Sequence, residues 1–131
     1  MRQHLWIPGK LPGLNDLLAA SGSHGGGKRR FNKYNIIKRH WAGVVHAECL
    51  RQDILPIERA WFDFIWYEKS RRRDPDNIAA AGRKLLLDAL VSAGILPNDG
   101  WKQVAGWRDK FICCADCRQG EPGVMIVIDG E

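Results

Sequence analysis

A chain of 131 residues with 45% hydrophobic and 27% charged side chains has the length and balance of one globular domain with a single core. Its strongly apolar stretches, such as Leu85 to Leu87 and Val124 to Ile128, fall far short of the roughly 20 residues that cross a bilayer, and Pro8, Gly9 and Pro12 interrupt the N-terminus before a signal-peptide core can form. The expectation is a cytoplasmic protein with no membrane span, whose net charge of +5 suits a polyanionic partner or, more blandly, a well-solvated basic surface.

In chain order, His4 to Ile7 reads as a short strand leading into a Pro/Gly turn, and Leu14 to Ala20 as a brief helix with Asn15 or Asp16 near its start. Ser21 to Gly27 holds four glycines, two serines and a histidine, and with the basic residues that follow it predicts a flexible loop over 21–30. It is not a phosphate-binding loop, because Arg29 follows Gly27-Lys28 where the magnesium-binding Ser or Thr belongs. From Asn35 to Gln52, the residues Ile36, Ile37, Trp41, Val44, Val45 and Leu50 recur at helical spacing and predict an amphipathic helix. Trp41 falls on its apolar stripe and is assigned to the core. Lys28, Arg29, Arg30, Lys33, Lys38 and Arg39 form a basic group there, and Phe31 and Tyr34, placed outside the helix, are candidates for stacking on bases.

Ile57 to Glu68 is a predicted strand with Ala60, Phe62, Phe64 and Trp66 on one apolar face. A helix follows over about Ile78 to Ala93, then strand signals between Trp101 and Ile112, and a last strand from Val124 to Ile128 that ends at Asp129-Gly130. The fold class that results is α+β, a small mixed sheet packed with two main helices in a single domain spanning 1–131, without internal repeats. Of the cysteines, Cys114 and Cys117 have the spacing of a zinc half-site or redox pair, but no second half-site completes it and the surrounding residues look like a loop. No structural zinc is expected from Cys113, Cys114 and Cys117, and Cys49 has no motif around it. None of the four histidines sits in a catalytic pattern.

The chemistry concentrates between Arg71 and Trp101. Arg71, Arg72 and Arg73 run into Asp74-Pro75-Asp76-Asn77, and a proline after Asp74 favours an extended backbone whose alternation would point the carboxylates of Asp74 and Asp76 to one side. Two anions so placed suit a hard cation such as Mg²⁺, although Asp76 or Asn77 could equally cap the next helix. Along that helix Asn77, Ala81, Lys84 and Asp88 make one narrow stripe opposite a broad apolar face. Lys84 and Asp88, one turn apart, are either an exposed ion pair or part of a site. Gly94 supplies a helix stop and Pro97 a turn, so that Asp99 can return to the sheet edge.

These residues, as R-x-R-D-x-D-N, K-x-x-x-D-A-L-x-x-A-G and a following acidic pair, closely resemble the RusA-like Holliday junction resolvases, small endodeoxyribonucleases found in prophages and phages. The resemblance covers about Arg71 to Trp101. It implies a Mg²⁺-dependent homodimer, with Mn²⁺ as a substitute ion, that nicks two strands of a four-way DNA junction symmetrically. It also implies Asp74, Asp76 and Asp99 as metal-binding carboxylates, with Asp88 as a further candidate, and Lys84 as the catalytic lysine. The family's founding type carries two acids where this chain has Asn98-Asp99, and its lysine sits about one helical turn closer to the aspartates. Arg71, Arg72 and Arg73 would then grip phosphates beside the scissile bond, and Lys28 to Arg39 a second arm of the junction. The competing expectations are a non-catalytic DNA-binding protein on a decayed resolvase scaffold and a small zinc-bound module.

Overall fold

The computed structural model describes residues 1–20, 28–113 and 121–131, with the backbone alone for 28–32. Its elements run β1 (Arg2–Pro8), α1 (Leu14–Ala20), α2 (Lys28–Arg51), β2 (Ala60–Glu68), α3 (Pro75–Ser92), β3 (Val104–Cys113) and β4 (Gly123–Gly130). The four strands make one sheet in the order β1-β4-β2-β3, in which β2 and β3 are parallel and the other pairs antiparallel. The molecule is α+β in a single small domain. Among the described residues, no helix is long and apolar enough to cross a membrane.

Alternation along the strands selects the buried face. Leu5 and Ile7 of β1, Phe62, Phe64 and Trp66 of β2, and Val124, Ile126 and Ile128 of β4 are buried in one core with Val45 of α2 and Leu85, Leu86 and Leu90 of α3. Trp41 joins them, as its place on the apolar stripe of α2 requires. The close approach of α3 to β2 depends on Gly82, where a Cβ would stand 2.5 Å from the ring of Trp66. A larger residue there would push helix and sheet apart.

Strand β2 starts at Ala60 and not at Ile57, and two helix starts also differ from the sequence reading. The second helix begins at Lys28, so Phe31 and Tyr34 lie within it and residues 28–30 are helical. Pattern analysis missed roughly the first two turns because a run of cations carries no apolar periodicity, although the run itself contains no helix breaker. The third helix begins at Pro75, with Asp74 as its N-cap, in place of Asp76 or Asn77. Proline is well suited to the first helical position, where its missing N–H costs no hydrogen bond. Residues 21–27, and Cys114 and Cys117 with the loop assigned to them, lie outside the described residues.

Candidate functional site

The loop between β2 and α3 leaves the carboxyl end of a strand that is parallel to its neighbour β3, and so brings Arg71 to Asp74 to the end of the sheet where Cys113 also lies. Glu68, Ser70, Arg71, Arg73, Asp74, Pro75, Ile78, Phe111 and Cys113 line an open groove of about 290 Å³ there. Asp74 is extended (φ −70°, ψ 149°), and its carboxylate makes no capping hydrogen bond. Asp76 follows in the first helical turn, so the continued extension that would alternate both carboxylates to one side ends at Asp74. Both are exposed, and neither carboxylate has a hydrogen bond or ion pair with a described residue. The free backbone N–H groups of the first turn and the helix dipole favour negative charge at this point.

The surroundings of this pair are rigidly tied. Arg73 donates to the Leu11 carbonyl at 2.8 Å and pairs with Glu68 at 2.8 Å, both charged side chains of the pair being largely buried. Arg73 is thereby committed to holding the segment before α1, while Arg71 and Arg72 are exposed. Asn77 is committed in the same way, since its side-chain oxygen accepts the Asn15 N–H at 3.0 Å. A Cβ at Gly13 would collide with the Asn77 amide at 2.4 Å, so the glycine permits this contact. The sequence reading of an open polar stripe through Asn77, Ala81, Lys84 and Asp88 therefore holds only for its second half. Ala81 is 2% exposed and belongs to the core, with α1 and α2 both packed against α3.

Further along α3, Lys84 Nζ lies 3.2 Å from Asp88 and 3.8 Å from Asp99, which the Gly94 turn (φ +77°) carries back to the helix. Lys38 of α2 reaches Asp88 at 3.8 Å. The hydrogen bond to Asp88 holds Lys84 above the ordinary lysine value, with partial burial opposing it and the charges of Asp88 and Asp99 reinforcing it. This lysine remains a cation. A second groove, also about 290 Å³, runs between α2 and α3 beside it, lined by Asn35, Lys38, Arg39, Leu85, Asp88 and Ser92. Lys33, Lys38 and Arg39 are exposed on α2, and Tyr34 is half-buried against the core. The side chains of Lys28, Arg29, Arg30 and Phe31 lie outside the described residues.

The structure thus brings Lys84, Asp88 and Asp99 together and places Asp74 and Asp76 elsewhere. Eight residues of helix separate Asp76 from Lys84, about 12 Å at 1.5 Å per residue. Among the described residues, no three His, Cys, Asp or Glu side chains are close enough to hold one metal ion. The donor chemistry of Asp74 and Asp76 fits a hard divalent cation. A three-aspartate set including Asp99 does not fit this arrangement.

Sequence reasoning did not identify Arg73, Asn77 or Gly13 as parts of a framework around the carboxylates. Their partners are 62 residues away in the chain for both Arg73 and Asn77, a separation at which no local pattern gives a signal. No protein-family model matches the chain, and no curated protein sequence matches it.

Proposed function

We propose that this chain is a structure-selective endodeoxyribonuclease of the RusA-like kind, acting in the cytoplasm as a homodimer that resolves four-way DNA junctions by paired symmetric nicks. The observation that carries the reading is the pair of unpartnered carboxylates at Asp74 and Asp76, exposed at a helix N-terminus beside exposed Arg71 and Arg72. Uncompensated acids next to cations on an open surface suit a task that involves both a cation and an anionic substrate. Mg²⁺, or Mn²⁺ in its place, would be held by Asp74 and Asp76 and, when bound, would supply an activated water and charge stabilisation for phosphodiester hydrolysis.

The chain's own residues have separable roles in this reading. Arg71 and Arg72 neutralise phosphates flanking the scissile bond, and Arg73 keeps their loop in place through Glu68 and the Leu11 carbonyl. Lys84, oriented by Asp88 and Asp99, offers a fixed positive charge to a strand running along α3. Lys33, Lys38 and Arg39 on α2 hold a second arm. Two symmetric nicks require two sites related by a two-fold axis, which is the reason for a dimer.

That no third carboxylate joins Asp74 and Asp76 in a metal-holding group among the described residues favours a second reading, a DNA-binding protein without catalysis. One assay separates them: the purified chain is mixed with four-way, Y-shaped and linear duplex DNA, with Mg²⁺ and with chelator. Mg²⁺-dependent nicking of the four-way form, lost in Asp74→Asn, is the expected result. Tight binding of junctions with no nicking under any condition would overturn the nuclease reading in favour of the second.

A further inference from the structure

Of the six tryptophans, five have a partner among the described residues. Trp6 packs edge-on against Tyr67, Trp41 against His40, and Trp107 lies under the Arg83 guanidinium. The Trp61 and Trp66 ring N–H groups donate to Asp63 and Asp109. Trp101 differs from all of these. It is 97% exposed, and its indole has no partner among the described residues.

Its backbone, by contrast, is held firmly. Arg59 Nη1 donates to the carbonyls of both Trp101 and Lys102 at 3.1 Å, while its Nε pairs with Glu131 at 2.9 Å. The turn closes on itself through Gln103 and Val104 N–H groups bonded to the Gly100 carbonyl, and Gln103 in turn accepts from Ala60 of β2. A large apolar ring presented on an anchored turn, with its whole surface in water, is an arrangement that folding alone does not favour.

The place of this ring narrows what it contacts. Trp101 is two residues from Asp99, at most about 7 Å of chain, and Asp99 pairs with Lys84. Exposed Lys102 follows it, and the half-exposed Arg59 lies beneath. An anchor for a protein partner normally belongs to a contiguous apolar patch whose members shade one another, whereas 97% exposure means that no neighbouring side chain covers this ring. A flat, uncovered aromatic face followed by an exposed lysine and anchored through Arg59 matches an unstacked base on a polyanionic backbone, for which stacking is tolerant of base identity.

We infer that Trp101 is a stacking platform for an unpaired base at the branch point of DNA, set beside the Lys84 to Asp99 pair. The inference rests on the branched-DNA reading above and assigns it a residue that distinguishes branched from linear DNA. The test compares full-length wild type, Trp101→Ala and Trp101→Phe for binding to a four-way junction, a duplex with an unpaired loop and a fully paired duplex. A 2-aminopurine at the branch point reports on stacking, and sedimentation reports on assembly. Trp101→Ala is expected to lose about 5- to 100-fold in affinity for the two branched forms and less than about twofold for the paired duplex. Trp101→Phe should recover most of the loss, and the melting temperature should not change.

Equal affinity of Trp101→Ala and wild type for the junction would overturn the inference while leaving the branched-DNA reading standing. So would an equal loss on all three DNAs, or a fall in sedimented mass that makes the ring a subunit contact. Failure of the wild type itself to bind any of these DNAs would overturn both.

Discussion

The first turn of α3 and the stretch two turns further on carry the same kinds of charged residue in opposite states. At the start, Asp74 and Asp76 are exposed carboxylates with no counter-ion among the described residues. Two turns along, Lys84 is held between Asp88 and Asp99, and Asp88 also meets Lys38. Exposed carboxylates without a protein counter-ion keep their oxygens available to a cation from outside, whereas carboxylates in a closed charge cluster are already paired. The contrast separates the part of the helix that is open to a ligand from the part whose charges are already oriented by one another.

The sharpest way to break this contrast is to neutralise its open end. Asp74→Asn and Asp76→Asn should each lower nicking of a four-way junction by about a thousandfold or more, with junction affinity unchanged or higher because repulsion of phosphates is reduced. Gel shifts and nicking assays on the same preparations decide it, and near-wild-type nicking by either variant would remove that residue from the site. Asp99→Asn in the same assay reads whether the two regions act together, with a loss as large as that of Asp74→Asn expected if they do.

At the closed end, Lys84→Ala should slow single-turnover cleavage of a bound junction by about a hundredfold. Its exposed ion pair with Asp88 contributes at most about 0.5 kcal/mol to stability, so melting should barely shift. Normal turnover in this variant would reduce the cluster to a surface ion pair.

The arginine run repeats the comparison on a smaller scale. Arg73→Ala leaves Glu68, 14% exposed, without its partner and frees the Leu11 carbonyl, a loss expected to cost about 2 kcal/mol of stability in denaturant titration. Arg72→Ala should leave stability within about 0.5 kcal/mol while weakening binding to every DNA form and flattening its salt dependence. Similar stability for the two variants would show that the internal role of Arg73 is wrong.

Cys49 lies at the far end of the scale, a titratable group with neither solvent nor a counter-ion. Burial pushes its thiol from the ordinary 9.0 up to about 11. Because the folded state then binds the proton more tightly than the unfolded state, this contribution to stability is complete below about pH 9 and is lost as pH rises toward 11. Cys49→Ala should remove that alkaline decline at a cost of about 1 kcal/mol at neutral pH. An unchanged alkaline slope would place its origin elsewhere.

The elements were legible to very different degrees. The limits of α1 were read correctly because Asn15 and Asp16 mark its start and the glycine-rich stretch follows its end. The buried face of β2 was plain from Phe62, Phe64 and Trp66 on one parity. The start of α2 was not, since Lys28 to Lys33 has no apolar period to reveal a helix. At the site, the motif residues were legible as types and spacings, and Gly94 and Pro97 marked a turn, although the reading took Asp99 to the sheet edge where the structure pairs it with Lys84 of α3. What could not be inferred is which charges remain unpartnered, because that depends on what packs beside them.

By itself, the sequence determined the α+β class, the face that β2 buries and the candidate residues from Arg71 to Asp99, since these follow from local periodicity, turn chemistry and motif spacing. Only the tertiary structure decided that Arg73 and Asn77 belong to a framework under α1, that Asp99 joins Lys84 and not Asp74, and that Trp101 stands uncovered. The first two of those outcomes are set by contacts between separate segments, Leu11 and Asn15 with Arg73 and Asn77, and Asp99 with Lys84, which no short-range pattern carries.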